Sequence, residues 1–177
     1  MKGIVIGHTC SIGQAIMKAL VNETVDVDGW SRSNGKDIFT CDLYGPDSFG
    51  IVVLVPEIGL AGLWQAWVKI RDCLDGVFIF LSSIAALMDS TDYAKSKQQQ
   101  EALLPKMAKW SARVRVNCIR LGHVSPSSTW PDGVALSNQF LKVFVRPEDV
   151  ARCVLFMFKT PSITGSIVTI DSGILLQ

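Results

Sequence analysis

Gly3–Val21, GIVIGHTCSIGQAIMKALV, divides into three pieces. Gly3 to Ile6 reads as a buried strand, Gly7 to Gly13 as a turn bounded by glycines, and Gln14 to Val21 as a helix with apolar residues at helical spacing. Strand, turn and helix in that order aim backbone N–H groups and a helix N-terminus at one point, which suits a pyrophosphate. Gly7 supplies the tight turn, and Gly13 lets the helix pack against the strand. Two glycines also join strand to helix without any ligand. The stretch therefore decides the fold class, an α/β doubly wound parallel sheet, before it decides a function.

A second stretch carries the chemistry. The apolar run Gly76 to Leu81 reads as another buried strand, with Ser82 and Ser83 at its carboxyl end. After a short polar connection, a segment of helix formers carries Tyr93 and Lys97. Positions i and i+4 share a helix face, so the phenol and the ammonium point into one cleft. A neighbouring lysine favours the phenolate, which makes the tyrosine a usable proton donor and acceptor near neutral pH. A serine hydroxyl at the strand end can hold a substrate oxygen beside it. Tyr-x-x-x-Lys alone also describes two ordinary residues on a half-exposed helix, so its place after Ser82-Ser83 matters.

Between these stretches, Val25–Trp30 reads as a second strand that ends at Ser31-Arg32-Ser33-Asn34-Gly35. In a dinucleotide fold this end meets the adenosine ribose, where an acidic residue suits NAD and an arginine suits the 2′-phosphate of NADP. Arg32 follows directly, whereas Asp28 falls inside the strand, so NADP(H) is favoured over NAD(H). Asp37–Leu43 reads as a third strand, with Asp42 near the adenine, and Ile51–Val55 as a central parallel strand. Leu60–Leu74 is helical, with Trp64 and Trp67 either in the core or on a face offered to a second subunit. The Tyr93 helix runs to about Trp110 and is kinked or interrupted at Pro105. Val114–Leu121 alternates as a strand. The long irregular segment 123–144 is the natural place for substrate contacts, with His123 and Trp130 as candidates. Pro147–Lys159 is an amphipathic helix with Glu148 and Asp149 in its first turn. Gly165–Ile170 is the last strand.

Composition narrows the classes. At 177 residues the chain fits one domain with a substantial core, and 49% hydrophobic content argues against disorder. A net charge of +1 without a basic block gives no reason to expect nucleic acid or an anionic membrane. Five scattered cysteines, Cys10, Cys41, Cys73, Cys118 and Cys153, form no Cys-x-x-Cys; free thiols are expected and no metal site. The first apolar run is too short for a signal peptide and none approaches spanning length, so a cytoplasmic protein is expected.

In this order the motifs resemble the short-chain dehydrogenase/reductase family over nearly the whole chain. Gly7-His-Thr-Cys-Ser-Ile-Gly13 matches the family's Gly-x-x-x-Gly-x-Gly, and Ser82-Ser-Ile-Ala85 followed by Tyr93-Ala-Lys-Ser-Lys97 matches its catalytic segment. Arg115–Val124 resembles the strand ending in Pro-Gly, while Arg146–Ala151 and Ile163–Gly173 resemble the closing helix and strand. The resemblance implies hydride transfer between a nicotinamide cofactor and a small carbonyl or secondary alcohol. Tyr93 would be the acid/base, Lys97 would hold the nicotinamide ribose and Ser83 would bind the substrate oxygen. The cofactor residues it implies are Gly7, Ser11, Ile12, Gly13, Arg32, Ser33, Asp42, Gly59, Tyr93, Lys97, Gly122 and Val124. It also implies a homodimer or homotetramer through the helices of Trp64 and Tyr93.

The chain departs from that pattern at several places. Ser11 replaces the middle glycine, Pro56-Glu-Ile-Gly59 stands where the family has Asn-Asn-Ala-Gly, and Leu121 replaces the proline of Pro-Gly. Ser83 and Tyr93 are separated by ten residues, fewer than is usual, so the connection must take another path. These departures keep a second reading open: a catalytically impaired relative that binds a dinucleotide or only oligomerises. A sugar-nucleotide epimerase relative would need a C-terminal substrate domain, for which the residues after Val145 leave no room.

Overall fold

A computed structural model of the chain describes residues 1–40, 49–110, 112–125 and 139–176. Within them lie β1 (Lys2–Ile6), α1 (Ser11–Asn22), β2 (Asp26–Trp30), β3 (Phe49–Leu54), α2 (Gly59–Ile70) and β4 (Leu74–Ser83). These are followed by α3 (Ala85–Met88), α4 (Asp92–Ala108), β5 (Arg115–Leu121), α5 (Pro147–Lys159) and β6 (Ile167–Ile170). Single 3-10 turns follow β2 at Arg32–Asn34 and close the chain at Ile174–Leu176.

The strands form one parallel sheet in the order β2-β1-β3-β4-β5-β6. After β2 the chain crosses to the opposite side of β1, so the carboxyl ends of β1 and β3 flank a topological switch point, where this architecture opens a ligand crevice. The interior strands are continuous apolar runs because both faces are covered. Val52 and Leu54 look toward α2 and α4, where Leu63, Trp67, Ile70, Leu104 and Met107 pack on Phe78 and Phe80. Ile51 and Val53 face α1 and α5, against Ile16, Leu20, Val150 and Val154. Full burial of a side chain such as Phe78 contributes roughly 1.5–3 kcal/mol.

Trp67 is fully buried against Phe78, with ring centroids 5.6 Å apart, which answers for it the choice between core and subunit face. Trp64 is partly buried and meets Trp110 edge-on at 6.2 Å, with Arg71 over the Trp110 ring. α5 has the expected limits: Pro147 opens it, and Arg146 N donates to Asp149 Oδ2 at 3.0 Å. Lys159 in its last turn pairs with Glu23 at 2.7 Å, fastening α5 to the end of α1.

Two expectations are corrected. The third strand does not form over its described part: residues 38–40 make a turn, with Phe39 N donating to Asp37 Oδ1 at 3.0 Å. Residues 41–43, including Asp42, lie outside the described residues. The sheet thus has six strands among the described residues. Pro105 does not interrupt α4, which runs on to Ala108, short of Trp110. Pro105 lies in the last turn, where its missing N–H removes a single intrahelical bond. No helix among the described residues is long and apolar enough to cross a membrane.

Candidate active site

Two cavities of about 590 Å³ each open along the carboxyl edge of the sheet, and Glu57 lines both. The first lies over the ends of β1 and β2, lined by Gly7, Thr9, Ser31, Arg32, Ser33, Lys36 and Asp37 together with Pro56. The second lies over β4 and β5, lined by Ile12, Val55, Ser83, Tyr93, Lys97, Gly122, His123 and Val124. Of the expected cofactor residues, Gly7, Arg32 and Ser33 thus border one cavity and Ile12, Tyr93, Lys97, Gly122 and Val124 the other.

Gly13 is buried beneath the turn, and a Cβ there would collide with the Gly7 carbonyl. Gly7 itself has φ +83°, and a Cβ on it would come within 2.8 Å of Pro56 Cδ. Both glycines therefore serve close approach of strand, loop and helix. Cys10 caps α1, its Sγ accepting from Gly13 N at 3.4 Å. Ser11 borders a different, shallower cleft with Lys18, Ser125 and Arg146. Gly59, at φ +67°, starts α2 and donates its N–H to Glu57 Oε1 at 2.9 Å.

The adjacent serines have separate duties. Ser82 donates to Glu101 Oε1 at 2.7 Å, and the same carboxylate takes Arg120 Nε at 2.9 Å and Nη2 at 2.5 Å. Ser82 also borders the second cavity, but its hydroxyl is committed to this network, which bridges β4, α4 and β5. Ser83 borders the second cavity, its Oγ accepting from Ala85 N at 3.3 Å. The short connection to Tyr93 is taken up by the one-turn α3 and by a bend at Asp89, which accepts from Ser90 N and the Thr91 hydroxyl. The Ser90 N–H foremost, then the Thr91 hydroxyl, hold the Asp89 carboxyl below its usual range. Thr91 then caps α4, accepting from Ala94 N at 3.2 Å. Gln98 Nε2 donates to Ala86 O at 2.8 Å and fixes α3 on α4.

Tyr93 is 48% exposed at the rim, whereas Lys97 is only 4% exposed and lies 5.7 Å from the Tyr93 ring centroid. Lys97 Nζ donates to Leu81 O at 3.0 Å and pairs with Glu57 Oε2. Glu57 Oε1 accepts from Ser96 Oγ at 3.1 Å and Gln100 Nε2 at 2.8 Å. Burial pushes the Glu57 carboxyl up, but the hydrogen bond and charge of Lys97, with the Gly59 and Gln100 bonds, outweigh it and hold the group below the usual carboxylate range. Glu57 is a functional residue that sequence reasoning missed; its one signal is that Pro56-Glu57 replaces the family's two asparagines.

Lys36, also missed, lies at the first cavity with its Nζ on both Asp28 oxygens at 2.7 and 2.6 Å. Trp30 Nε1 takes Asp28 Oδ2 as well, at 2.8 Å. His123 borders the second cavity beside the fully buried Gln139, whose Nε2 is 3.5 Å from His123 Nδ1. Trp130 lies outside the described residues.

No protein-family model matches the chain. The chain is 30% identical over 109 residues to the short-chain dehydrogenase/reductase homolog YusR of Bacillus subtilis, a match covering 56% of this chain and 83% of that protein. It is 32% identical over 110 residues to the 3-oxoacyl-(acyl-carrier-protein) reductase FabG of Chlamydia trachomatis, over 55% of this chain and 44% of that one. In solved structures, a small-chain dehydrogenase in complex with NADPH superposes with a TM-score of 0.85 at 20% identity, covering 100% of this chain and 99% of the other. The aldohexose dehydrogenase of Thermoplasma acidophilum gives 0.81 at 18% identity, over 99% and 94%. At such identities the structural likeness concerns the fold.

Proposed function

The chain belongs to the short-chain dehydrogenase/reductase family of oxidoreductases, and on that footing we propose that it is an NADP(H)-linked reductase of a small carbonyl, or in the other direction a dehydrogenase of the matching secondary alcohol. One observation carries the reading: Ser83, Tyr93 and Lys97 border one cavity at the switch-point edge of the sheet.

The residues present fit a dinucleotide. The tight turn at Gly7 and Gly13 brings the start of α1 against the strand ends, and the first-turn amides of Ser11 and Ile12 are the donors a pyrophosphate would take. Arg32, Ser33 and Lys36 would meet the 2′-phosphate, with Asp28 already engaged by Lys36 and Trp30. That an NADPH complex is among the similar folds supports the same preference.

When bound, the nicotinamide supplies or accepts the hydride. Ser83 donates to the substrate oxygen and holds it beside Tyr93. The Tyr93 hydroxyl gives that oxygen its proton in reduction and takes it back in oxidation. Lys97, anchored on Leu81 O, fixes the cofactor end of the cleft. Assembly through α2 and α4 into a dimer or tetramer is part of the reading.

The second reading, a relative that binds the dinucleotide without turnover, is favoured by one feature: the Lys97 ammonium is already matched by Glu57. Fluorescence titration with NADPH, followed by a panel of carbonyl substrates with Tyr93→Phe as control, separates the two. Turnover lost in the variant supports the reductase; tight binding with no turnover on a broad panel supports the second reading.

A further inference from the structure

Taking as given the dinucleotide reading, in which Lys97 holds the nicotinamide ribose, we propose that Glu57 is a further binding residue for the vicinal diol of that ribose, accepting from it beside the Lys97 donor. The hydrogen-bonding capacity left at the two side chains supports this. Glu57 Oε1 already receives Gly59 N, Gln100 Nε2 and Ser96 Oγ at 2.9, 2.8 and 3.1 Å. Its partner oxygen, Oε2, receives Lys97. A carboxylate oxygen accepts at about two sites, so Oε1 is filled and Oε2 keeps one. Lys97 has three N–H donors, of which Leu81 O and Glu57 take two.

One acceptor site and one donor site thus stand side by side at the second cavity, with Glu57 lining the first as well. Neighbouring hydroxyls, each able to donate and accept, are the complement of that arrangement. A bare Lys97 would draw phosphate instead. With the carboxylate against it the pair is close to neutral, which suits sugar hydroxyls and leaves phosphate to the start of α1. Bonds from the β3–α2 loop and from α4 hold the carboxylate in place before any ligand arrives, so little ordering cost remains on binding.

The test titrates the full chain and Glu57→Gln with NADPH and with 2′,5′-ADP, which carries the adenosine half and lacks the second ribose. The ratio of the two affinities should fall about tenfold in the variant, the loss of one charge-assisted bond. Using the ratio cancels the general gain in anion affinity from removing a negative charge. An unchanged ratio overturns the proposal. So does an equal loss for both ligands, which would assign Glu57 to the adenosine half or to the fold. A rise in the ratio overturns it too, since Glu57 would then be competing with the sugar for Lys97. If Glu57→Gln melts early, Glu57→Asp carries the same comparison, keeping the charge but shortening the reach. A wild-type chain that binds neither NADPH nor NADH takes down the dinucleotide reading itself, and this proposal with it.

Discussion

Glu57 Oε2 meets Lys97 Nζ across the cleft and ties the loop after β3 to the middle of α4. The contact makes stability depend on pH in a definite direction. A carboxyl held below its unfolded value contributes fully above that value and loses its contribution as pH falls through the lower folded one. For Glu57 the loss therefore begins near the usual 4.5 and continues downward. At pH 7, Glu57→Gln should cost about 1–2 kcal/mol, less than a dry pair, because the Glu57 side chain is 35% exposed and glutamine keeps an acceptor. In urea unfolding the gap between wild type and variant should narrow below pH 4.5; a gap that stays constant to pH 3.5 would remove Glu57 from the account.

Tyr93 is exposed and contributes little packing, so Tyr93→Phe should leave the melting temperature and NADPH affinity nearly unchanged. Turnover of any carbonyl the wild type reduces should drop by about two to four orders of magnitude, as expected when a general acid is removed. Retention of more than a tenth of the wild-type kcat would mean that another group supplies the proton.

Ser82 and Ser83 make a matched pair of controls. Ser82→Ala breaks into the Glu101–Arg120 network and should cost about 1–3 kcal/mol in unfolding, with kcat close to wild type. Ser83→Ala should do the reverse, lowering kcat while the denaturation midpoint holds. The experiment needs only parallel denaturation curves and initial rates, and an exchange of the two phenotypes would reverse the roles assigned.

Much of this was legible because the signals were local. β1, β3 and β4 are apolar runs between turn residues, α5 announces itself with Pro147 and two acids, and i,i+4 spacing put Tyr93 and Lys97 on one face. The misreadings were local as well. Asp37–Leu43 reads as a strand, but the Asp37 carboxylate offers Phe39 N a turn bond that competes with a ladder. Pro105 reads as a break, yet near a helix end it removes one bond and no more. What sequence could not convey was long-range pairing. Nothing in Pro56-Glu57-Ile58 announces that the carboxylate reaches Lys97, Ser96 and Gln100 on α4, beyond the next strand. Lys36 folding back onto Asp28 was equally silent.

The Lys36–Asp28 pair bears on the proposed preference for NADPH. Arg32 and Lys36 both border the cavity over β2, but Lys36 is engaged with Asp28 at 2.6 Å, so Arg32 is the residue able to turn wholly to a 2′-phosphate. Arg32→Ala should weaken NADPH binding by about tenfold or more, the worth of a charge-assisted bond, and leave NADH within a factor of about two. Asp28→Asn frees Lys36 from its carboxylate and should tighten NADPH further while NADH, which has no 2′-phosphate, gains little. Because the interaction is ionic and partly exposed, the NADPH advantage should shrink as salt is raised. Titrations of both cofactors at low and high salt test all three statements at once. Equal losses for NADPH and NADH in Arg32→Ala would show that the guanidinium serves the pyrophosphate or the fold, and that the 2′-phosphate is read elsewhere.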